Sequence, residues 1–494
     1  MRRRTILLYN PLSTSPGKQR LPMSLLAIAA VIADDYDVEF IDGNLTADPA
    51  AQIVERARAT GAALLGVTVM PGPQLRQAVP VCRAVKQALP HLTIVWGGYF
   101  PSNHHDVVLS SSYVDYVIIG QGETAFRKLV DTLHSGGSLD DVPSLARREG
   151  GGVRLTPRAP FVPLDNLPWY PYDHLNVERY VGRSYLGRRV LAHHTSWGCP
   201  FACNFCAVVP LAKQRWLAES AQRVADITLY LKRQHNIDGM EFHDMDFFVS
   251  EGRAAEIAER LTGHDIAWWG LGRVDTLLSY SDATFEKLRR SGVKMIFMGA
   301  ESGDDDTLKL MNKGGKSGTA QTLAIVERMK RYGIVPELSF VLGNPPDPEA
   351  DADKTIRFIR RVKQVNPATE LILYLYTPTP QEGSLLLDEA MRLGFRFPET
   401  LEEWAGDAWA EKALRRNPGT PWSKDPLRRR IRDFETVVNA YYPTVTDIRL
   451  RGVMRRILTG LSGWRYRLEV YQRPYELKAL QRLIHYRRPE TTGF

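Results

Sequence analysis

Cysteines and long apolar runs are both scarce in this chain of 494 residues. It has only four cysteines, which excludes a scaffold held together by disulfides. The longest apolar stretch, around Leu25 to Ala33, is about half of the ~20 residues that a membrane-spanning helix needs. The N-terminus is basic, but Asn10-Pro11 interrupts its apolar run too early for the core of a signal peptide. We therefore expect a cytoplasmic protein.

The net charge of +8 is unevenly distributed along the chain. From Lys412 to the C-terminus there are 19 Lys and Arg against 7 Asp and Glu, whereas the rest of the chain has 45 against 49. The basic character therefore belongs to the C-terminal region, which suggests an anionic partner at that end. Hydrophobic residues make up 44% and charged residues 24%, as in globular proteins, and the length suggests about two to four domains.

Short apolar runs alternate with helical patterns over residues 1–140. The runs are Thr5–Tyr9, Val38–Ile41, Ala63–Val69, Thr93–Trp96 and Tyr116–Ile119. Each run is closely followed by Gly, Pro or Asn, as is typical of buried parallel strands. The pattern predicts an α/β fold whose first domain is a doubly wound, Rossmann-like sheet. Such a sheet binds its ligand beyond the C-terminal ends of the strands.

The rest of the chain divides into three segments. Residues 141–185 are rich in Pro and Gly, which predicts a linker. Residues 186–385 contain further β-runs, each followed by a helical stretch, which predicts a partial (β/α)6 barrel. The strand signal then fades, so residues 386–494 are expected to form a mostly helical, basic extension. The β-runs of the barrel are Val190–His194, Gly239–His243, Trp268–Arg273, Met295–Met298, Glu337–Val341 and Glu370–Tyr376.

Three of the cysteines lie close together after the first run of the barrel. Cys199, Cys203 and Cys206 have the spacing C-x3-C-x2-C. Three thiolates on one tight loop can hold three irons of a [4Fe–4S] cube and leave the fourth iron open to a chelating substrate. The alternative is a structural zinc site completed by His193 or His194. Structural zinc usually pairs two separated two-ligand motifs, and the sequence supplies no second one, so the spacing favours a cluster.

This cysteine motif, with Phe205 as its aromatic residue, resembles the radical S-adenosylmethionine (SAM) superfamily, whose loop reads C-x3-C-x-(aromatic)-C. The resemblance implies that the three cysteines bind a [4Fe–4S] cluster, that SAM binds the open iron, and that Phe205 packs beside the adenine. Further motifs follow in the order of the cobalamin-dependent branch, with departures at Met245 and Pro346. They are Phe242–Phe248, Leu271–Asp275, Gly299–Gly303, Leu310–Gly314, Gly343–Pro346 and Tyr376–Pro380.

Polar side chains at the strand ends of the barrel are candidates for SAM binding. The resemblance and the side-chain chemistry assign SAM contacts to Asp244, Arg273, Glu301 and Ser302. A carboxylate or hydroxyl there can bind the ribose or the amino group of SAM, and a guanidinium can bind its carboxylate. Three alternatives remain: Glu301 caps the following helix, Arg273 pairs with Asp275, and Asp244 and Asp246 cap helices or form ion pairs. No residue is assigned to catalysis.

Strand-end glycines of residues 1–140 resemble those of the cobalamin-binding domain that is fused to this branch. The resemblance implies cobalamin contacts from Asn10, Ser13, Thr68, Gly97, Gly98, Gly120, Gly122 and Glu123. Many cobalamin domains carry Asp-x-His-x-x-Gly after the first strand, with the histidine below cobalt. The corresponding loop here, Asn10–Gly17, has no histidine, which implies cobalt without a protein histidine. His104 and His105 are expected on a surface loop, and Cys82 in the core.

The C-terminal extension contains the pattern of a basic amphipathic helix between residues 451 and 468. Such a helix suits a membrane surface or an anionic substrate; alternatively, its apolar face packs on the open side of the barrel. The segment Tyr471–Glu476 resembles tails of radical enzymes in hopanoid and bacteriochlorophyll pathways, which implies a bulky, lipophilic substrate. The basic residues are Arg451, Arg455, Arg465 and Arg467. The apolar residues are Val453, Met454, Ile457, Leu458, Leu461, Trp464 and Leu468.

Together these features predict a cobalamin-dependent radical SAM methyltransferase acting on an unactivated carbon. The resemblance implies that the cluster reduces SAM to methionine and a 5′-deoxyadenosyl radical, that this radical takes a hydrogen atom from the substrate, and that methylcobalamin supplies the methyl group. A flavodoxin or ferredoxin is expected as electron donor, nucleic acid is not expected as a partner, and peripheral contact with the inner membrane face is expected through the extension. The alternatives are a non-methylating radical SAM enzyme, such as an oxidative cyclase, and a zinc- or cluster-bearing binding protein.

Overall fold

The structure is a computed structural model of the chain. It describes residues 3–313, 318–407, 409, 420–444, 446, 450 and 452–483. Sheets of seven and six strands form the centres of two α/β units. Helices from the C-terminal part of the chain contribute side chains to the hydrophobic cores of both units. The α/β fold class predicted from the sequence is confirmed.

The first sheet contains the strands β1 Thr5–Asn10, β2 Asp37–Asp42, β3 Leu64–Thr68, β4 Thr93–Gly97, β5 Tyr116–Ile118, β6 Leu145–Glu149 and β7 Gly152–Leu155. Their order is β2-β1-β3-β4-β5-β6-β7. Strands β1 to β5 are parallel and confirm the apolar runs of residues 1–140. Successive residues of β1 alternate between two cores, since Leu7 and Tyr9 enter one and Ile6 and Leu8 the other. The sheet is therefore covered on both faces, as a doubly wound fold requires.

Helices pack on the two faces of this sheet. They span Met23–Ala30, Pro49–Thr60, Pro73–Ala88, Tyr99–Asn103, His105–Leu109 and Glu123–Ser135. Asp48 caps the helix Pro49–Thr60 by accepting a hydrogen bond from the backbone N–H of Ala51 at 3.0 Å. Cys82 lies fully buried on the helix Pro73–Ala88, which confirms its predicted place in the core.

Strands β6 and β7 lie in the segment 141–185, which the sequence predicts to be a linker. Both pair antiparallel at the edge of the first sheet, beside β5. Their sequences, LARRE and GVRL, carry exposed charged residues and lack the continuous apolar run of a buried strand. The rest of the segment crosses to the second unit in short turns of 3-10 helix. This part of the chain therefore extends the first sheet as well as connecting the units.

The second sheet contains β8 Val190–His193, β11 Gly239–Phe242, β12 Ala267–Gly272, β13 Val293–Glu301, β14 Val335–Leu342 and β15 Glu370–Leu375. All neighbours are parallel, in the order β15-β14-β13-β12-β11-β8. The predicted partial barrel is confirmed. A short antiparallel pair, β9 Ser196–Gly198 and β10 Trp216–Ala218, was not predicted and encloses the cysteine loop. The helices of this unit are Val208–Ala212, Ala221–His235, Glu251–Leu261, Val274–Ser279, Asp282–Arg290, Asp305–Leu310, Thr319–Arg331 and Pro348–Val365.

The C-terminal part is helical where the structure describes it, as predicted. Its helices are Leu385–Arg392, Leu401–Ala405, Asp425–Tyr441, Gly452–Arg467 and Tyr475–Leu483. Trp404 and Leu401 enter a core of the first unit, whereas Phe434 and Leu458 enter the core of the second. Among the described residues, no helix is both long and apolar enough to cross a membrane.

The two units meet at the C-terminal edge of the first sheet. Asp42, the last residue of β2, accepts a hydrogen bond from the hydroxyl of Tyr180 at 2.8 Å. Arg20 donates from Nε and Nη2 to Glu241 on β11 at 3.0 and 2.8 Å. These contacts turn the ligand-binding edge of the first sheet toward the barrel.

Candidate active site

The cysteine loop follows β9 and is anchored by a buried carboxylate. Asp244 accepts hydrogen bonds from the backbone N–H and hydroxyl of Thr195, both at 2.6 Å, and from the hydroxyl of Ser196 at 2.7 Å. Its side chain is buried, and the strand that leads into the loop occupies both carboxylate oxygens. Asp244 therefore positions the loop, and its SAM contact stays a prediction.

None of the three cysteines of the loop forms a disulfide. Cys203 is buried, and Cys199 and Cys206 are half-buried. Nowhere in the described ranges do three Cys, His, Asp or Glu side chains converge on a single point. A [4Fe–4S] cube needs no such convergence, because each thiolate binds a different iron. The donor set therefore fits a cube with one iron left open.

His193, one of the histidines considered for zinc, is engaged elsewhere. Its Nε2 lies 3.1 Å from Glu219 and its Nδ1 lies 3.2 Å from the hydroxyl of Tyr172. The imidazole is fully buried among these partners. Because both ring nitrogens are hydrogen-bonded, His193 is not available as a metal ligand in this arrangement.

Arg273 touches the cysteine loop directly. Its Nη1 donates to Cys203 Sγ at 3.2 Å, and its guanidinium lies 3.8 Å from the centre of the Phe201 ring. Nε and Nη2 donate to Asp275 at 3.0 and 2.9 Å, so the alternative pairing is present. Nη2 also donates to the carbonyl of Lys313 at 2.6 Å. Arg273 therefore places a positive charge next to Cys203, and its SAM contact stays a prediction.

Glu301 ends β13 with an unusual backbone. Its φ is +66°, and the register with β14 shifts at this point. A positive φ in a non-glycine residue costs on the order of 1–3 kcal/mol and is found mainly at functional sites. Lys313 Nζ pairs with the carboxylate at 2.8 Å. A methyl group on Gly299 would overlap the same carboxylate at 1.8 Å, so only glycine fits there.

The alternative for Glu301, a helix cap, is wrong. Asp304, not Glu301, is the N-cap residue of the helix Asp305–Leu310. Glu301 is held instead at the mouth of the barrel, and its SAM contact stays a prediction.

Ser302 makes structural hydrogen bonds between neighbouring loops. It is fully buried, and its hydroxyl donates to Asp351 at 3.1 Å and accepts from the backbone N–H of Asp304 at 3.1 Å. The other oxygen of Asp351 accepts from the backbone N–H groups of Gly343 and Asn344 at 2.9 and 3.1 Å. Ser302 therefore connects two strand-end loops, and its contact with SAM stays a prediction.

Asp246 is a buried carboxylate without a partner in the described part of the chain. It is 2% exposed, and neither carboxylate oxygen accepts a hydrogen bond there. Burial raises its pKa to about 7, although the charge of Arg273 lowers it. Leaving such a group unpaired is costly, so a bound ligand is the natural partner. Asp244 and Asp246 lie in one sequence motif, and only their hydrogen bonds distinguish them, so the sequence alone predicts a SAM contact for Asp244 and not for Asp246.

Phe205 anchors the far end of the cysteine loop. Its ring packs on the cluster of Leu308, Met311 and Tyr376, and its carbonyl accepts from the hydroxyl of Thr379 at 3.1 Å. The loop is thus held from both ends. Packing of Phe205 beside an adenine stays a prediction.

The residues predicted to contact cobalamin gather at the C-terminal edge of the first sheet. Asn10 donates to Asp42 at 3.2 Å and accepts from Gln74 at 3.0 Å. Ser13 donates from its backbone N–H to Asn44 at 2.9 Å. Thr68 shares a hydrogen bond of 2.9 Å with the hydroxyl of Ser24. These side chains brace the loops of the edge, and their contacts with cobalamin stay predictions.

The glycines keep this edge free of side chains. Gly98 and Gly120 have φ of +95° and +82°, which favours glycine. Gly97 precedes Gly98 at the end of β4, and Gly122 is the N-cap residue of the helix Glu123–Ser135. Burial raises the pKa of the Glu123 carboxyl in the first turn of that helix. A large flat ligand could approach the backbone here, so the edge fits cobalamin.

The expectation that His104 lies on a surface loop is wrong. Its ring lies 4.8 Å from Phe100 and 4.6 Å from Trp404 between ring centres. Burial among these rings lowers the pKa of His104 to about 4. The local sequence could not show this contact, because Trp404 belongs to the C-terminal extension, about three hundred residues further along the chain. His105 is half-buried at the start of the helix His105–Leu109.

Comparison with known proteins agrees with this geometry. The B12 binding domain model matches residues 11–130, and the Radical SAM superfamily model matches residues 195–359. An uncharacterized methyltransferase of Pyrococcus horikoshii is 27% identical over 69% of this chain and 73% of its own length. The anaerobic magnesium-protoporphyrin IX monomethyl ester cyclase of a Synechocystis species is 27% identical over 64% of each chain.

A solved structure shows the same fold. The radical SAM methyltransferase TsrM from Kitasatospora setae, determined with cobalamin and a [4Fe–4S] cluster bound, superposes with a TM-score of 0.62 at 20% identity. The match covers 80% of each chain.

A cobalamin-binding sheet followed by a barrel with this cysteine loop defines a radical SAM enzyme with a B12 domain. The chain belongs to the cobalamin-dependent radical SAM enzyme family. Its cofactors are a [4Fe–4S] cluster, SAM and cobalamin, and the residues of the cysteine loop and of the strand-end glycines fit them.

Proposed function

We propose that the protein methylates an unactivated carbon of a bulky, lipophilic substrate. The observation that carries the proposal is the approach of the two cofactor sites. A methyl group on Gly120, at the cobalamin edge, would lie 3.9 Å from the carbonyl of Leu211, in the helix that follows the cysteine loop. The ring of Phe161, beyond β7, lies 5.3 Å from that of Trp197, just before the loop. A methyl carrier and a radical source at these sites can act on one bound substrate.

The chain's own residues hold and orient the reactants. When bound, the cluster and SAM supply a radical that takes a hydrogen atom from the substrate carbon, and cobalamin supplies the methyl group. Cys199, Cys203 and Cys206 hold the cluster, and Arg273 places a cation beside it. Asp246, buried and unpaired, is suited to the ammonium group of SAM.

Support for methyl transfer and for a lipophilic substrate comes from different relatives. The Pyrococcus relative is named as a methyltransferase, and the Synechocystis cyclase is named for a tetrapyrrole ester, which is large and mostly apolar. We also propose that the enzyme is cytoplasmic and receives electrons from an external flavodoxin or ferredoxin. Its C-terminal helices contact the inner membrane face peripherally.

The decisive experiment is anaerobic turnover with SAM that carries a deuterated methyl group. Lipid and tetrapyrrole candidates are incubated with the reduced holoenzyme, and products are analysed by mass. A product that gains one labelled methyl group, together with 5′-deoxyadenosine, is expected. Formation of 5′-deoxyadenosine with a product that has lost hydrogen and gained no label would instead identify an oxidative cyclase.

A further inference from the structure

Arg158 is a cation without a partner at the cobalamin edge. Its side chain is exposed, and no described residue offers it a hydrogen bond or an ion pair. Burial alone lowers the pKa of the guanidinium, with no carboxylate to oppose it. By contrast Arg154, on the neighbouring strand β7, pairs with Asp140 and Glu149 at 2.9 and 2.7 Å. The isolation of Arg158 is therefore local and not a general feature of this surface.

The backbone on both sides of Arg158 is fixed. Ser144 donates its N–H to the carbonyl of Pro157 at 2.8 Å, and its hydroxyl accepts from the N–H of Ala159 at 2.8 Å. Gln121 makes two further hydrogen bonds with the backbone of Val162, at 2.9 and 3.0 Å. Gln121 itself lies between the two edge glycines, Gly120 and Gly122. The chain thus holds Arg158 at this edge before any ligand is bound.

The guanidinium lies on the backbone of Gly120. A methyl group built on Gly120 would come within 3.0 Å of Arg158 Nη1, so a larger residue would displace the cation. Gly120 also has a φ of +82°, which any other residue would adopt only with strain. Glycine at position 120 therefore suits the local backbone and also leaves room for the guanidinium of Arg158.

We infer that Arg158 binds the phosphodiester group of cobalamin. The amide side chains around the corrin ring are neutral, whereas the phosphodiester in the nucleotide loop carries the negative charge of that part of the molecule. Arginine recognises phosphate oxygens through two parallel N–H groups. The inference adds a basic contact from the segment between the two units, which the strand-end motifs do not include.

The test compares cobalamin with cobinamide, which lacks the phosphodiester, ribose and base. Binding of each to the cobalamin-free protein is measured by visible absorbance for wild type, Arg158→Ala and Arg158→Lys, with Arg154→Ala as the control. The expected result is that Arg158→Ala weakens cobalamin binding about tenfold to a hundredfold and leaves cobinamide binding within about twofold. Arg158→Lys should recover part of the loss, because it restores a point charge.

Two outcomes would overturn the inference. Unchanged cobalamin binding in Arg158→Ala would show that the guanidinium is only solvated. Equal weakening of both ligands would show that Arg158 shapes the edge without contacting the phosphodiester. Iron content and thermal unfolding of each variant identify misfolding, and in that case Arg158→Gln, which keeps the length of the side chain, replaces Arg158→Ala.

Discussion

Cysteines in this protein occupy two different environments, and replacing them should have different effects. Cys203 lies on the loop with Cys199 and Cys206, whereas Cys82 is fully buried and accepts a weak hydrogen bond from Trp96 Nε1 at 3.4 Å. We expect Cys203→Ala to abolish reductive cleavage of SAM and to lower the iron content. Cys82→Ala should leave the iron content unchanged and reduce only stability. Full cleavage activity in Cys203→Ala would refute the cluster assignment.

Asp246 and Asp244 offer a matched pair for separating ligand binding from positioning. Asp246→Asn removes the unpartnered carboxylate and is expected to weaken SAM binding about tenfold while preserving the fold. Asp244→Asn disturbs three hydrogen bonds to the strand before the cysteine loop and should lower thermal stability. Equilibrium dialysis with SAM and thermal unfolding measure the two effects. If Asp246→Asn binds SAM as wild type does, another residue binds the ammonium group.

The effect of Asp246→Asn on the stability of the cofactor-free protein should depend on pH. The pKa of Asp246 rises from 3.8 in the unfolded chain to about 7 in the folded protein. Between these two pH values the folded protein therefore binds a proton that the unfolded chain does not. Its contribution to stability is complete below pH 4 and is lost as the pH rises through 7. Relative to wild type, Asp246→Asn should therefore become more stable as the pH increases from 4 to 8. Urea unfolding at several pH values checks this, and parallel curves would contradict it.

At the level of single residues, the sequence was informative where a motif demands a chemistry. Three cysteines with fixed spacing permit few interpretations, and their loop is where the pattern predicts it. Asp244 and Asp246 could not be ranked, because the difference lies in hydrogen bonds to Thr195 and Ser196 from another strand. His104 was misjudged for the same reason, since its partner Trp404 is remote in sequence.

The helix Gly452–Arg467 has two apolar faces, and only one is packed. Leu458 and Tyr466 are buried in the core of the second unit. The opposite face is exposed by 40 to 70% per residue and consists of Val453, Ile457, Leu461, Trp464 and Leu468. The helix contains no acidic residue, and Arg456 and Arg467 are exposed beside the stripe. The packing interpretation therefore holds for one face. Binding of the other face to an anionic lipid surface stays a prediction.

Liposome sedimentation tests this second face. Each exposed arginine near an anionic leaflet contributes about 1 kcal/mol, so Arg456→Glu/Arg467→Glu should reduce binding at least about thirtyfold. Arg455 is unsuitable, because it donates to the carbonyls of Pro443 and Thr444 at 3.1 and 2.7 Å. Arg451 lies outside the described residues.

The matched control for this experiment is Arg233→Glu/Arg290→Glu, which changes the charge equally at exposed sites on barrel helices. It should bind anionic vesicles as wild type does, and high salt should weaken binding for both. Equal binding by both double variants, or equal binding to neutral vesicles, would exclude a specific membrane surface on the C-terminal helix.

β-Strands with an apolar run were predicted from the sequence, whereas short strands and edge strands were not. Buried parallel strands such as β1 and β3 have a nearly continuous apolar sequence and were predicted correctly. The edge strands β6 and β7 were missed, since an edge needs no apolar run and their charged residues resemble a loop. The short pair β9 and β10 was also missed, because three residues carry too little pattern to be recognised.

The arrangement of the first unit and the C-terminal helices indicates how the cobalt of cobalamin is ligated. The loop after β1 has no histidine, and Asn10 at its start is held by Asp42 and Gln74. His104, which follows the short helix after β4, stacks on Phe100 and contacts the tilted ring of Trp404. We therefore expect cobalamin to bind without a protein histidine on the metal. Such a cobalt, free of a strong lower ligand, passes more easily between its methylated and reduced states.

Electron paramagnetic resonance of the Co(II) form tests this directly. An axial imidazole or benzimidazole nitrogen would split each cobalt line into three, so the spectrum should show no such splitting. Cobinamide, which has no base of its own, separates the possible sources: splitting that persists with cobinamide must come from the protein. If His104→Gln then removed it, the unligated arrangement would be wrong and His104 would be the lower ligand. A spectrum without splitting for both corrinoids would support a cobalt that carries no nitrogen ligand on its lower side.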